Sequence, residues 1–338
     1  MTPLVSILIP AYNAEAWIGD TIKSALAQTW PKKEIIIVND GSRDQTLTVA
    51  RQFASGSVQV ATQENQGAAA TRNRAFSLCQ GDFVQWLDAD DLLSPGKVAN
   101  QLEALGRGGT NRTLLSSGWG SFMHRPGHAD FTPTELWCDL SPTEWLLRKM
   151  SLNLHMQTAT WLVSRELTEA AGPWNTSLLG DDDGEYFCRV LLASDGVRFV
   201  PESKVFYRMA GVNSLSYIGQ SSRKMEAQLR SMRLHIRYLL SLEDSDGTRK
   251  ACVTYLQNWL PNFYPERPDL VKESKQIAAD LGGALETPRL SWKYNWILRL
   301  FGWRSTKIAQ LRLRQLKWSM LRDWDKLLFW LGTLRPSA

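Results

Sequence analysis

Gly81-Asp82-Phe83-Val84-Gln85-Trp86-Leu87-Asp88-Ala89-Asp90-Asp91 is a short apolar run that ends in three carboxylates. Phe83 to Leu87 has the length of a buried strand, and charges cannot follow it into a dry interior unless something compensates them. A divalent cation would. Asp88 and Asp90 lie two apart, so an extended backbone points both the same way, and a turn at Ala89 lets both reach one hard ion bound through oxygen. Open α/β sheets hold a metal and a diphosphate in this way, at the carboxyl end of a strand. By itself the segment also suits Asp-rich turn chemistry, or a helix N-cap before Ser94-Pro95.

Upstream, Val5-Ser6-Ile7-Leu8-Ile9 and Ile35-Ile36-Ile37-Val38 are β-branched runs with no polar face, as central strands of a parallel sheet covered on both sides require. Val58 to Ala61 adds another strand. Residues 14–28, 44–54 and 67–79 between these runs have the length and periodicity of crossover helices. The pattern β-α-β-α-β-α-β predicts a doubly wound, mostly parallel α/β sheet, with ligands at the carboxyl ends of its strands. The polar residues that follow those ends are Pro10-Ala11-Tyr12-Asn13, Asn39-Asp40-Gly41-Ser42 and Asp88-Ala89-Asp90-Asp91.

These segments, with Gly67 and Ala70-Thr71-Arg72-Asn73 in the same order, resemble the family 2 glycosyltransferases of the GT-A fold over about residues 3 to 215. The resemblance implies a nucleotide-sugar donor, usually a UDP-sugar, bound through Mn²⁺ or Mg²⁺. It implies that Pro10 and Tyr12 wall the nucleobase, with Tyr12 as a stacking face, and that Asp40 accepts a hydrogen bond from the base edge. Arg72 and Asn73 then fall near the donor phosphates, Asp88 at the ribose or a metal-bound water, and Asp90 on the metal. Each residue also has a plain structural use: Pro10 ends a strand, Asp40-Gly41 makes a turn, and Arg72 sits on a surface helix.

A second acidic cluster, Gly180-Asp181-Asp182-Asp183-Gly184-Glu185, opens a helix that runs to Ser194. Capping and the helix dipole account for part of it. An inverting transfer also needs one carboxylate to take the acceptor's proton, and like charges raise a carboxylate's proton affinity. Matched to the family's Glu-Asp element on Arg189, the base falls at Asp183, with Asp182 in reserve. Val197–Val200, Pro201-Glu202 and Val205–Arg208 resemble the strand pair that closes such a domain. Ala210 stands where many members have a histidine, and Ser214 and Ser216 follow in the loop. The middle region from Gly106 to Leu154 falls where members recognise their acceptors. His124 and His128 have helical metal-ligand spacing, but Pro126-Gly127 breaks any helix between them.

The 338 residues are 43% hydrophobic, enough for a full core and a second unit. The division expected is a catalytic domain over 1–218, with nucleotide-sugar binding in 1–105 and the acceptor side and base in 106–218, and a helical, basic, Trp-rich extension over 219–338. Cys79, Cys138, Cys188 and Cys252 have neither metal-ligand nor paired spacing, as in a reduced, cytoplasmic protein. No run approaches the roughly 20 apolar residues of a membrane span, and Met1-Thr2-Pro3 leads straight into the first strand, with no cleavable signal. Helices are expected over 221–242, 247–260 and 271–281.

From Arg289 onward there are eleven Lys or Arg and two Asp, net +9, so the rest of the chain is net −4 against a total of +5. Leu313, Leu316, Met320, Trp324, Leu327 and Leu331 recur at helical spacing as one apolar stripe, with Arg314, Arg322 and Lys326 off it, while Leu311 and Trp318 want a second apolar surface. Residues 289–338 therefore suit either an anionic membrane surface, at the inner face of the membrane, or packing on a protein. No nucleic-acid module accompanies them. The function expected is a metal-dependent inverting glycosyltransferase acting on a saccharide or lipid-linked acceptor in cell-surface polysaccharide, glycolipid or glycoprotein synthesis. The alternatives are a sugar nucleotidyltransferase, which would need a Gly-rich loop after the first strand, and a non-catalytic nucleotide-binding or membrane-associated module.

Overall fold

The computed structural model describes residues 2–209, 221–288, 293 and 295–333. In chain order the elements are β1 (Val5–Ala11), α1 (Ile18–Leu26), β2 (Lys33–Asp40), α2 (Thr46–Arg51), β3 (Val58–Gln63), α3 (Ala68–Leu78), β4 (Phe83–Trp86), β5 (Leu92–Leu93), α4 (Lys97–Gly106) and β6 (Thr113–Phe122). They continue with α5 (Pro142–Leu152), β7 (Val163–Ser164), α6 (Arg165–Ala171), α7 (Asp182–Ala193), β8 (Gly196–Arg208), α8 (Ser222–Leu242), α9 (Asp246–Phe263), α10 (Pro268–Asp280) and α11 (Asn295–Thr333).

The main sheet has the order β3-β2-β1-β4-β7, parallel except for β7. β1 and β2 are buried on both faces because crossover helices cover both, which is why their sequences show no alternation. Gly81 lets β4 start close beside β1, since a Cβ there would stand 2.3 Å from the Ser6 hydroxyl. A smaller sheet, β5-β8-β6, packs beside it. The strand pair expected over 197–208 is a single strand: β8 runs parallel to β6 throughout, and the register skips three residues where Pro201 to Ser203 bulge out.

Helices α8, α9 and α10 form where the periodicity places them. Their apolar faces join the same hydrophobic cluster as the sheet and α7: Met225, Met232, Leu239, Cys252 and Leu256 belong with Trp86, Tyr186 and Val190. The proposed boundary at 218 and the residues Ala210, Ser214, Ser216 and Trp292 lie outside the described residues. The four cysteines are free. His124 and His128 are not on an α-helix: Pro126–His128 is a single 3₁₀ turn, and His124 instead meets Trp17 at 5.6 Å between ring centroids. Among the described residues, no helix is long and apolar enough to cross a membrane.

Candidate active site

Three strand ends deliver the first half of the site. After β1, Tyr12 stands 47% exposed with a free ring face, and Pro10 pairs in register with Val38 of β2. At the end of β2, the Asp40 carboxylate is buried and fully engaged. Its Oδ1 accepts from Gln63 Nε2 (2.8 Å) and the Gln66 N–H (2.9 Å), and its Oδ2 from the Gly67 N–H (2.8 Å) and Asn65 Nδ2 (3.1 Å). Four bonds fill the lone-pair positions of a carboxylate. Asp40 therefore organises the loop from β3 into α3, and a base edge could reach it only by taking the place of one partner, the Asn65 amide being the longest bond. The Asp40→Asn chain turns one acceptor into a donor facing N–H groups, and should lose about 2–3 kcal/mol of unfolding free energy in denaturant titration.

β4 ends one residue before Leu87, and Asp88, Asp90 and Asp91 then diverge. Asp88 Oδ1 accepts from Arg72 at 2.8 Å. Asp90 is pushed up to about 6, by burial first and then by the charge of Asp88. Asp91, fully buried, accepts from the Arg208 N–H (2.8 Å) and from Gln157, so it fastens the end of β8 to the strand-end turn. Of the three consecutive carboxylates, Asp91 is therefore an internal brace, whereas Asp88 and Asp90 remain at the surface of the crevice.

The second acidic cluster converges on the same place. Arg72 lies on the inner face of α3 among Ala69, Thr71 and Ala75, an arginine where an amphipathic helix would carry an apolar residue. It donates to Asp88 (2.8 Å) and to Asp182 (2.9 Å), and its guanidinium covers the Trp174 ring at 4.4 Å. Burial opposes its charge, but Asp88, Asp182 and Asp183 more than offset that, and its proton is held more tightly than in water. Arg72 is thus the bridge between two carboxylate segments, not the surface residue its position suggested. Asn73 is also placed differently from the expectation at the donor phosphates. Both ends of its amide pair with the main chain of Trp174, at 3.0 and 2.8 Å, which holds the loop after α6 against α3.

The three aspartates at the start of α7 have three different surroundings. Asp181, in a left-handed conformation, accepts from Ser231 Oγ (2.6 Å) and Gln228 Nε2 (3.1 Å) of α8, above the buried His235. Gly184 makes room for it, since a Cβ there would fall 2.1 Å from its Oδ1. Asp182 is tied to Arg72 and is pushed up to about 6 by burial, against the pull of Arg72 and with the push of Asp183 and Asp88. Asp183 accepts from Thr158 Oγ1 (3.2 Å) and the Gly184 N–H (2.9 Å), and it feels the charge of Arg72 without a direct ion pair.

Beside it, Trp119 packs on His155 (5.2 Å) and edge-on to Tyr207 (5.8 Å). In the sequence nothing sets Trp119 apart within the middle region from Gly106 to Leu154. Thr158, Gln157 and Trp174 carried no signal, because their partners lie 12 to 101 residues away.

Two carboxylates with no histidine or thiol form an oxygen donor set suited to a hard divalent ion. Among the described residues, no group of three or more His, Cys, Asp or Glu is arranged to hold a metal by itself. Asp88 and Asp90 fit Mn²⁺ or Mg²⁺ as a pair that a diphosphate would complete, and the burial and repulsion that push Asp90 up are what a cation would relieve.

A doubly wound sheet whose strand ends carry paired aspartates, facing an acidic helix start, defines a GT-A-like protein. Residues 6–150 match the model of glycosyl transferase family 2. Among curated proteins, it is 41% identical over 104 residues to the putative teichuronic acid biosynthesis glycosyltransferase TuaG of Bacillus subtilis, covering 30% of this chain and 41% of that one. It is also 40% identical over 106 residues to an uncharacterized glycosyltransferase of Rickettsia typhi, covering 31% and 33%. The chain spans about a third of the length of the curated relatives it matches. The crystal structure of residues 1–349 of S. aureus TarS in complex with UDP-GlcNAc superposes with a TM-score of 0.65 at 16% identity, over 82% of this chain and 81% of that one, a likeness of fold.

Proposed function

We propose that this chain transfers a sugar, with inversion, from a UDP-sugar to an acceptor hydroxyl in cell-surface polysaccharide or glycolipid synthesis. The observation that carries it is the meeting of Asp88 and Asp182 on the one buried Arg72, at 2.8 and 2.9 Å, which brings the turn after β4 and the start of α7 together. The UDP-GlcNAc held by the TarS neighbour and the polysaccharide role in the name of TuaG support the donor and the pathway class.

Tyr12 stacks on the base, and Asp40 with its loop sets the depth of the base pocket. Asp88 and Asp90 would hold a Mn²⁺ or Mg²⁺ ion, which would supply positive charge to offset that of the departing diphosphate. Arg72 holds Asp88 and Asp182 in their orientations. Asp183 Oδ2, positioned by Thr158, takes the proton of the acceptor hydroxyl as its oxygen attacks the anomeric carbon from the side opposite the diphosphate. One displacement, with one base and no enzyme nucleophile, inverts the configuration.

Thermal-shift titration with a panel of nucleotide sugars, with and without Mn²⁺, tests the donor half. One UDP-sugar should raise the melting temperature of the native chain in a metal-dependent way, and Asp90→Ala should remove at least about tenfold of that affinity, the size expected from loss of a charged ligand. No stabilisation by any nucleotide sugar, with metal or without, would sink the reading.

A further inference from the structure

Of the seventeen large apolar side chains that stand exposed among the described residues, twelve lie between Leu300 and Leu331 on α11. The stripe Leu313, Leu316, Met320, Trp324, Leu327 and Leu331 is between 49% and 73% exposed. The helix meets the body by another side. Near its start, Trp303 packs edge-on against Tyr264 at 4.8 Å and Lys307 Nζ donates to the Tyr264 carbonyl and to Glu266, both at 2.7 Å. Near its end, Asp325 accepts from Arg125 Nε (2.6 Å) and the His124 N–H (2.9 Å), and Phe329 lies 6.3 Å from the His124 ring. At about 100° per residue these body-facing positions centre roughly 140° from the middle of the stripe, Trp303 being the nearest to it. The amphipathicity thus faces outward, the reverse of a helix that completes a core.

We propose that α11 seats the protein on the surface of an anionic lipid bilayer, with the stripe in the headgroup layer and its lysines and arginines on the lipid phosphates. Charge decides for this occupant. From Arg289 onward the chain is net +9, and one of its two acids, Asp325, is already committed to Arg125. A second copy packed on the stripe would bring together two segments that each carry net +9. A bilayer with anionic headgroups receives both the charge and the tryptophans.

The Asp325 clasp gives the seat a consequence at the site. Arg125 adjoins the Met123–His124 segment, whose Met123 carbonyl accepts from Arg208 (3.1 Å), and Arg208 also donates to the Asp90 carbonyl (2.8 Å). The helix on the lipid and the turn that carries Asp90 are therefore three contacts apart. This inference does not depend on the glycosyl-transfer reading, because its test needs no turnover.

The test is co-sedimentation of the full chain with vesicles of phosphatidylcholine alone and with added phosphatidylglycerol, at low and high salt, beside the triple variant Leu316→Glu, Met320→Glu, Trp324→Glu. All three side chains are exposed, so the variant should keep its melting temperature. The native chain should partition onto the anionic vesicles at least about tenfold more strongly than onto neutral ones, lose this at high salt, and lose it in the variant. No binding to anionic vesicles overturns the proposal. Equal binding by the variant, which would be adsorption through charge alone, overturns it too. If the native chain is a dimer that the variant breaks, and neither sediments with vesicles, the stripe's occupant is a second copy and the proposal fails.

Discussion

The Asp183→Asn chain should bind its UDP-sugar with an unchanged donor KM and turn it over ~10³-fold more slowly, the range lost when a positioned general base is removed. Asn keeps the shape: its oxygen can accept from the Gly184 N–H and its NH₂ can donate to the Thr158 hydroxyl, so the helix start should be undisturbed. What it cannot do is take a proton. Donor binding should survive because Asp88, Asp90 and Asp40 belong to other strand ends. Asp182→Asn is the internal control. That carboxylate is committed to Arg72, so its loss should cost stability more than rate. Steady-state kinetics on both variants decides the assignment. If Asp182→Asn is the dead enzyme and Asp183→Asn the active one, the two exchange roles.

Removing the bridge should have the largest effect on stability. Arg72→Met fills much of the same volume, but leaves Asp88 and Asp182 facing each other and Asp183 without a counter-charge. Taking one partner from a buried ion pair costs about 3–5 kcal/mol, and here one cation serves two acids. The deficit should depend on pH in a stated direction. Asp182 already sits at about 6, and Arg72 is what holds it from going higher. A carboxylate raised above its unfolded value favours the native state when protonated, and that contribution is lost as pH rises through the raised value. In the variant this value climbs, so the native-minus-variant difference should be greatest at pH 7 and above, and shrink towards about pH 5. Buried His235, pushed down to about 3, titrates alike in both proteins and drops out of the difference. Urea unfolding at several pH values measures this, and a deficit that grows on acidification would refute the bridging role.

β1, β2 and β4 were legible because burial on both faces leaves a signature that needs no partner: unbroken apolar runs such as Ile35 to Val38. The acidic clusters were legible as chemistry. Their division of labour was not. Asp181, Asp182 and Asp183 are identical in sequence terms, and they differ only by what α8, α3 and the Thr158 turn bring to them from 25 to 110 residues away. Asp40 and Asn73 looked like ligand contacts, yet the Asp40 carboxylate is engaged by the Gln63–Gly67 segment and the Asn73 amide by the Trp174 main chain. The two-residue strands β5 and β7 are too short to carry a period, and Pro201-Glu202 read as a break because a bulge looks like one in sequence.

The grip of α8 on Asp181 has a consequence for how such a chain can change over generations. Gln228 and Ser231 lie on α8, away from the strand ends, yet they fix the first turn of α7, and the methionines and leucines around them share a core with Trp86 and Tyr186. A helical region joined in this way cannot be traded for another by recombination at the end of the sheet, as a tethered module could. Its inner face must drift together with the acidic turn it holds, while the outer face of α11 remains free to follow whatever surface the protein works on.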